Sequence, residues 1–564
     1  MNRQQGFRRV SVAALFVAAN LILIVAADPP FHFVDVAKET GVQLLNIAGS
    51  KEKNYLIDTT GNGAAFLDYD RDGDMDILIV NGSSLARLKN GGDQMVALYR
   101  NDGPSPGTGQ IHFTDVTAQS GLTRRGWGMG TCVADYDNDG FPDIYVTALV
   151  TIVLWHNTGH GTFTESGQAA STGWSTGCAF GDFDRDGYVD LYVAHYLSRE
   201  WESFAPGGER TCKFMNIAIP CGPRPLKGEP DVLYRNMGNG TFADVTKAAG
   251  VSIPGGHYGF GALFTDLDED GWPDIYAVSD SKPSLFFRNL RNGTFAEEAL
   301  RSGIAVSGDG REQSGMGVDV GDYDGDGHMD LIKTHFSQDY TTIYRNLGGG
   351  LFADVSVRAG MRLGPHLGWG VGFVDLDNDG RLDVFVANGH VWSNIDETGT
   401  STYLQTKQLY RNIGGGRLQE VSRDVGGALL EPKSSRGTAF GDFDNDGDID
   451  VLVVNNDDRP TLLRNDTAGG RWITVRLEGT ASNRDAIGAH VTIEAGGTRQ
   501  VAEVRSGGSY LSNNDVRVHF GLGDRTTVDR LQIRWPNGRI ETAGDLMSNR
   551  FYVAREGAGV RVGK

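Results

Sequence analysis

Asp135-Tyr136-Asp137-Asn138-Asp139-Gly140-Phe141-Pro142-Asp143 puts four carboxylates within nine residues, with glycine at the sixth position. Carboxylates this crowded repel one another, so the segment needs a cation in order to fold. Oxygen-only ligands at this spacing suit a hard ion with a large, flexible shell, which points to calcium. The glycine permits the sharp turn that aims the first, third and fifth side chains at one point. Asn138 is expected to point outward, so its loss should matter little beside that of Asp139.

The pattern Asp-x-Asp-x-Asp-Gly-x-x-Asp occurs seven times. Its candidate ligands are Asp68, Asp70, Asp72 and Asp76; Asp135, Asp137, Asp139 and Asp143; Asp182, Asp184, Asp186 and Asp190; Asp266, Asp268, Asp270 and Asp274; Asp322, Asp324, Asp326 and Asp330; Asp375, Asp377, Asp379 and Asp383; and Asp442, Asp444, Asp446 and Asp450. The expected cofactor is Ca²⁺, up to seven ions. The chain carries 52 basic and 72 acidic residues, a formal charge of −20. The 28 loop aspartates account for that excess, so the acidity belongs to metal sites and nucleic acid is excluded as a partner.

Around each loop the same parts recur in order. A strand of small residues enters the loop, as in Gly130-Thr-Cys-Val-Ala134, and an apolar strand leaves it, as in Asp143-Ile-Tyr-Val-Thr147. A Leu-Tyr-Arg-Asn strand follows (Leu98–Asn101, Leu233–Asn236, Ile343–Asn346, Leu409–Asn412), then a glycine turn and a Phe-x-Asp-Val strand. Four short strands per repeat make a propeller blade. The seventh repeat lacks its last strand, and an orphan copy stands at Phe31–Val36, so the two ends are expected to share one blade and leave no open edge. An EF-hand needs helices after its loops and Glu at position twelve; here that position holds Ile79, Val146, Val193, Ala277 and Val386 among β-branched flanks. From about Arg471 the repeat stops and alternating runs such as Trp472–Leu477 predict a separate small β domain, sandwich-like in form. The expected fold is all-β: a seven-bladed propeller over residues 28–468, then a β domain over 469–564.

Residues 1–27 read as a signal peptide, with Arg3, Arg8 and Arg9 before an apolar run and Val25-Ala26-Ala27 before the cleavage point. The expectation is an exported protein, secreted or periplasmic and associated with the cell surface, with no membrane span after cleavage. Cys212 and Cys221 flank a nine-residue step and are read as a local disulfide, whereas Cys132 and Cys178, in apolar strands of neighbouring repeats, are read as buried free thiols. Residues at the strand ends away from the loops are expected to surround an open concavity. Trp127, Trp174, Tyr258, His195, His335, Trp369 and Asn388 form that candidate ligand face, suited to a glycan, a peptide or a partner loop. No nucleophile elbow, His-Glu-x-x-His motif, phosphate loop or Cys/His zinc cluster occurs.

With these residues in view, the seven loops resemble the FG-GAP (VCBS) repeats of integrin α-subunit propellers, with Phe260-Gly261-Ala262 closest to the literal wording. Ser482–Ala489, Glu503–Ser512, His519–Gly523 and Arg534–Gly538 resemble the ASPIC/UnbV domain. The insertion from Cys212 to Cys221-Gly-Pro-Arg224, continuing to Gly228–Arg235, is similar to bacterial members of the cartilage acidic protein family. The resemblance implies a secreted calcium-binding protein and supplies no catalytic activity. The expected function is a non-catalytic interaction, adhesion or scaffold protein with an extracellular or periplasmic protein or glycan partner. The alternatives are a propeller-based polysaccharide lyase and a periplasmic assembly factor.

Overall fold

The computed structural model describes residues 31–564 except 168, 170–172, 199–211 and 225; the proposed signal peptide lies outside the described residues. Among the described residues, 31–465 form seven four-stranded antiparallel sheets. Each sheet follows one repeat. The second blade runs Gly128–Ala134, Asp143–Ala148, Val153–Asn157 and Phe163–Glu165. Phe33–Asp35 pairs antiparallel with Thr461–Asn465, Val34 opposite Arg464, so the first described strand completes the last sheet. The first strands touch one another in sequence order, and Ser435–Gly441 returns to touch Ala64–Leu67, which closes the ring. Glycine makes this approach possible. A Cβ on Gly317 would stand 2.1 Å from the Trp369 carbonyl oxygen of the next blade.

The crowding also corrects one sequence expectation. Cys132 and Cys178 are not free thiols but a disulfide, with Cα atoms 5.8 Å apart on the first strands of adjacent blades. Reading each repeat alone hides this, because the pairing is set by the register between blades. Cys212–Cys221 is also a disulfide, as expected, and ties off the hairpin Cys212–Phe214 and Ile217–Ile219.

Residues 471–562 form two further four-stranded sheets, one of Arg471–Glu478, Val518–Gly523, Arg550–Arg555 and Gly559–Val562, the other of His490–Ala495, Thr498–Glu503, Thr527–Arg534 and Ile540–Met547. The two share an apolar core of Ile473, Val475, Ile493, Leu531, Ile533 and Trp535. The domain is not separate from the ring, however. That same core continues into Tyr136, Phe180 and Leu191 of blades two and three. No described helix is long and apolar enough to cross a membrane.

Candidate metal centre and the filled channel

All seven loops join the first strand of a blade to the second, so they lie on one face of the ring. The first aspartate takes the backbone N–H of the sixth-position glycine, as in Gly140 to Asp135 (2.7 Å) and Gly380 to Asp375 (2.8 Å). The ninth aspartate is buried and accepts two backbone N–H groups. Asp143 takes Tyr136 N and Asn157 N, and the other six repeat the arrangement. These bonds fix the ligand oxygens and leave each a lone pair free. The fourth residue of every loop is left-handed: Arg71, Asn138, Arg185, Glu269, Gly325, Asn378 and Asn445.

The residues fit a hard cation. Asp68 Oδ1, Asp266 Oδ1 and Asp442 Oδ1 are buried without a hydrogen-bond partner, as are Asp70 Oδ1, Asp184 Oδ1 and Asp324 Oδ1 at third positions. Oxygens of Asp68, Asp70 and Asp76, and of the corresponding triads Asp135/Asp137/Asp143, Asp182/Asp184/Asp190 and Asp266/Asp268/Asp274, lie within 4.8 Å of one another. Without an ion, burial pushes these carboxyls up. Asp135 rises to about 8, helped by Asp485 and Asp143 nearby; Asp143 and Asp182 rise to about 7, Asp322 to about 6 and Asp330 to about 9. Such groups need either a proton or a cation.

Two sets of side chains knit the ring together. The asparagine that ends each third strand donates to a loop carbonyl of the preceding blade: Asn157 to Tyr69 O, Asn236 to Tyr136 O, Asn289 to Phe183 O, and so on to Asn465 and Leu376 O, with Asn101 reaching Phe443 O to close the circle. In the sequence these asparagines mark only the strand, although their recurrence at one position is the signal of this shared role. The fourth loop residue reaches forward instead. Arg71 donates to Gly140 O (2.6 Å), Asn138 to Gly187 O (2.9 Å) and Asn378 to Gly447 O (3.1 Å). Asn138 is therefore no outward bystander. Its Oδ1 also accepts from Arg484 N (2.7 Å) of the C-terminal domain.

The C-terminal domain sits on this loop face. Arg534 pairs with Asp266 (2.7 Å), Arg71 with Asp485 (3.1 Å), and Arg517 donates to Asp442 O (2.8 Å) and Asn445 Oδ1 (3.0 Å). Its segment 506–514 enters the channel between the blades. Ser509 O accepts from Val318 N and Leu511 O from Thr131 N, while Asn513 pairs with Ala64 and Phe66. Tyr510 is fully buried at the tip, its hydroxyl on Thr60 O (3.0 Å) and its ring 4.7 Å from Trp369 and 5.7 Å from Phe260. Arg436 lies beside it, buried, 4.1 Å from the Trp369 ring and held by the carbonyls of Thr59, Ser435, Gly389 and His390.

This filling overturns the expected ligand face. Trp127, Trp174, Tyr258, His195, His335, Trp369 and Asn388 do converge towards the ring interior, but none is more than 3% exposed. The tryptophans and Tyr258 pack in one cluster with Tyr510 and Leu511. His195 meets Ser175 Oγ (3.0 Å), His335 meets Thr342 Oγ1 (2.9 Å), and Asn388 donates to Thr406 O (2.9 Å). At the far mouth the disulfide hairpin crosses to the sixth blade, with Phe214 5.1 Å from Trp392 and Ala218 O accepting from Asn394 (3.1 Å). Tyr510→Ala should therefore cost about 3–5 kcal/mol, the usual loss for a large buried aromatic. Chemical denaturation checks this; a loss below about 1 kcal/mol would mean that the segment rests in the channel without contributing to stability.

The FG-GAP-like repeat family profile matches residues 68–146, 149–193, 227–277, 266–332 and 336–386, and the ASPIC and UnbV profile matches 479–561. This is an FG-GAP repeat protein with a C-terminal ASPIC and UnbV domain. The FG-GAP repeat protein is 26% identical to cartilage acidic protein 1 of Mus musculus over 322 residues, 56% of this chain and 47% of the relative. It is equally similar to the Homo sapiens protein over 326 residues, 56% of this chain and 46% of the relative. The chain thus spans about half the length of the curated relatives it matches. Among solved structures, an Agrocybe aegerita lectin recognising non-reducing terminal N-acetylglucosamine overlays with a TM-score of 0.36 at 16% identity, covering 72% of this chain and 94% of the lectin.

Proposed function

We propose that this FG-GAP repeat protein is an exported, calcium-stabilised interaction protein that carries out no catalysis. The observation that supports it most is the set of buried, unpartnered carboxylate oxygens at Asp68, Asp266 and Asp442, the first two in loops whose other aspartates converge on the same point. Calcium satisfies such oxygens at flexible coordination, and modest affinities suffice in calcium-rich extracellular fluid. The two disulfides agree with an oxidising compartment. A partner, protein or glycan, meets the blade rims or the hairpin face, since the channel is full. The residue after the stapling asparagine is apolar and exposed in four successive blades: Met237, Leu290, Leu347 and Ile413. The lyase and assembly-factor alternatives gain no support from the filled channel. Calorimetric titration of chelator-treated protein tests the reading. Saturable uptake of several calcium ions per chain is expected, and no uptake at millimolar calcium removes it.

A further inference from the structure

The second blade departs from the other six at one position beside its loop. In six blades the third strand places an arginine there: Arg100, Arg235, Arg288, Arg345, Arg411 and Arg464. Several of these lean on loop carboxylates, with Arg235 2.5 Å from Asp184, Arg345 2.6 Å from Asp324 and Arg411 2.8 Å from Asp377. A guanidinium is always protonated and cannot ligate a metal. The second blade has His156 instead. An imidazole can donate a lone pair once its proton is displaced.

The geometry places the imidazole nitrogen among the loop carboxylates. His156 Nδ1 lies 3.2 Å from Asp137 Oδ2 and 3.3 Å from Asp143 Oδ1. The nitrogen is buried and paired with both carboxylates. Two ligand atoms bound to one ion at about 2.1 Å stand roughly 3.0–3.4 Å apart in octahedral or tetrahedral shells. The observed separations fall in that range. Asp137, Asp139 and His156 each present an atom within 4.8 Å of the others, so one ion can reach all three. Asp143 is fully buried and held by Asn157 N and Tyr136 N, which fixes its oxygens and limits how far the site can relax around a large ion.

We infer that the second-blade site, through His156 Nδ1 with Asp137 and Asp139, takes a nitrogen-accepting divalent transition ion of the zinc and cobalt class in preference to calcium. Imidazole with carboxylate suits zinc, cobalt or nickel, whereas oxygen-only loops suit calcium. The inference rests on the metal-loop reading above. It adds a different ion at one site and a ligand from outside the loop. The other blades keep the oxygen-only loop beside an arginine.

The test uses the full chain, loaded with Zn²⁺ and passed through a desalting column in millimolar calcium. The native protein should retain one zinc per chain. His156→Arg, which installs the residue of the other six blades, should lower zinc affinity by at least roughly 10–100-fold, the loss that even an outer partner of a metal ligand causes. Its calcium content should rise by about one ion, because the second loop then matches the oxygen-only loops beside an arginine in the other blades, and its melting temperature in calcium should not fall. Bound Co²⁺ should show visible ligand-field absorption in the native chain that His156→Arg loses. Zinc absent from the native protein, or held equally by the variant, would overturn the inference while leaving calcium at the remaining loops intact. A chain that binds neither ion would reject the wider metal reading as well. If His156→Arg proves unstable, His156→Gln, which removes the imidazole nitrogen, should show the same loss of zinc.

Discussion

In excess chelator the protein should melt roughly 10 °C or more below its midpoint in millimolar calcium, the shift expected when several sites are emptied together. An ion that binds the folded loops and not the unfolded chain stabilises by about 2.7 kcal/mol per site at 100-fold over its dissociation constant. The chelated chain should also respond to pH in a defined direction. Burial raises Asp135 to about 8, Asp143 and Asp182 to about 7 and Asp330 to about 9, all above an unfolded value near 3.9. The stability of a carboxyl raised in this way is fully present below the unfolded value and is lost as pH climbs through the folded one. The metal-free protein should therefore weaken steadily from about pH 4 to about pH 9. Calcium replaces the proton, so the decline should flatten when the ion is present. A midpoint indifferent to chelator, or a metal-free protein that gains stability across that range, would contradict the account.

A chain starting at Thr40 should aggregate or unfold, although it keeps every metal loop and the whole C-terminal domain. Phe33–Asp35 supplies the outer strand of the last blade, and Val36 N bonds to Leu462 O beyond it. Phe31 and Phe33 are buried against Phe385, Leu409, Val451 and Leu463. Their removal exposes that apolar surface and leaves the backbone of Thr461–Asn465 unpaired, an edge that invites association between chains. Loss of two buried phenylalanines alone costs about 6–10 kcal/mol, comparable to the whole stability of an ordinary domain. Circular dichroism and light scattering on the two chains compare them directly. Equal melting would mean that the ring does not depend on this strand.

The blades were legible because their signals are local. The place of the nine-residue loop between two strands, the Arg-Asn strand and the orphan Phe31–Val36 were each legible from spacing alone. What failed was always a relation between blades or domains. Cys132 and Cys178 pair only because first strands crowd at the axis, a distance that no single repeat contains. Asn138 looked like an outward loop residue, yet its left-handed backbone turns it onto Gly187 and Arg484. The aromatic residues at the far strand ends were rightly placed towards the ring interior and wrongly taken as exposed. Nothing in the alternation of the C-terminal domain says that Tyr510 occupies that space. Arg534 stood only in the ASPIC/UnbV-like stretch Arg534–Gly538 and no motif marked Arg517, because their partners lie on the loop face of the ring.

The most direct test of the account is a crystal structure in millimolar calcium with data collected at a wavelength where calcium scatters anomalously. The account predicts an anomalous peak within about 2.3–2.6 Å of the first, third and fifth aspartate oxygens in the loops beginning at Asp68, Asp182, Asp266, Asp322, Asp375 and Asp442. Loops free of anomalous density, with Asp68, Asp266 and Asp442 still buried, would contradict it.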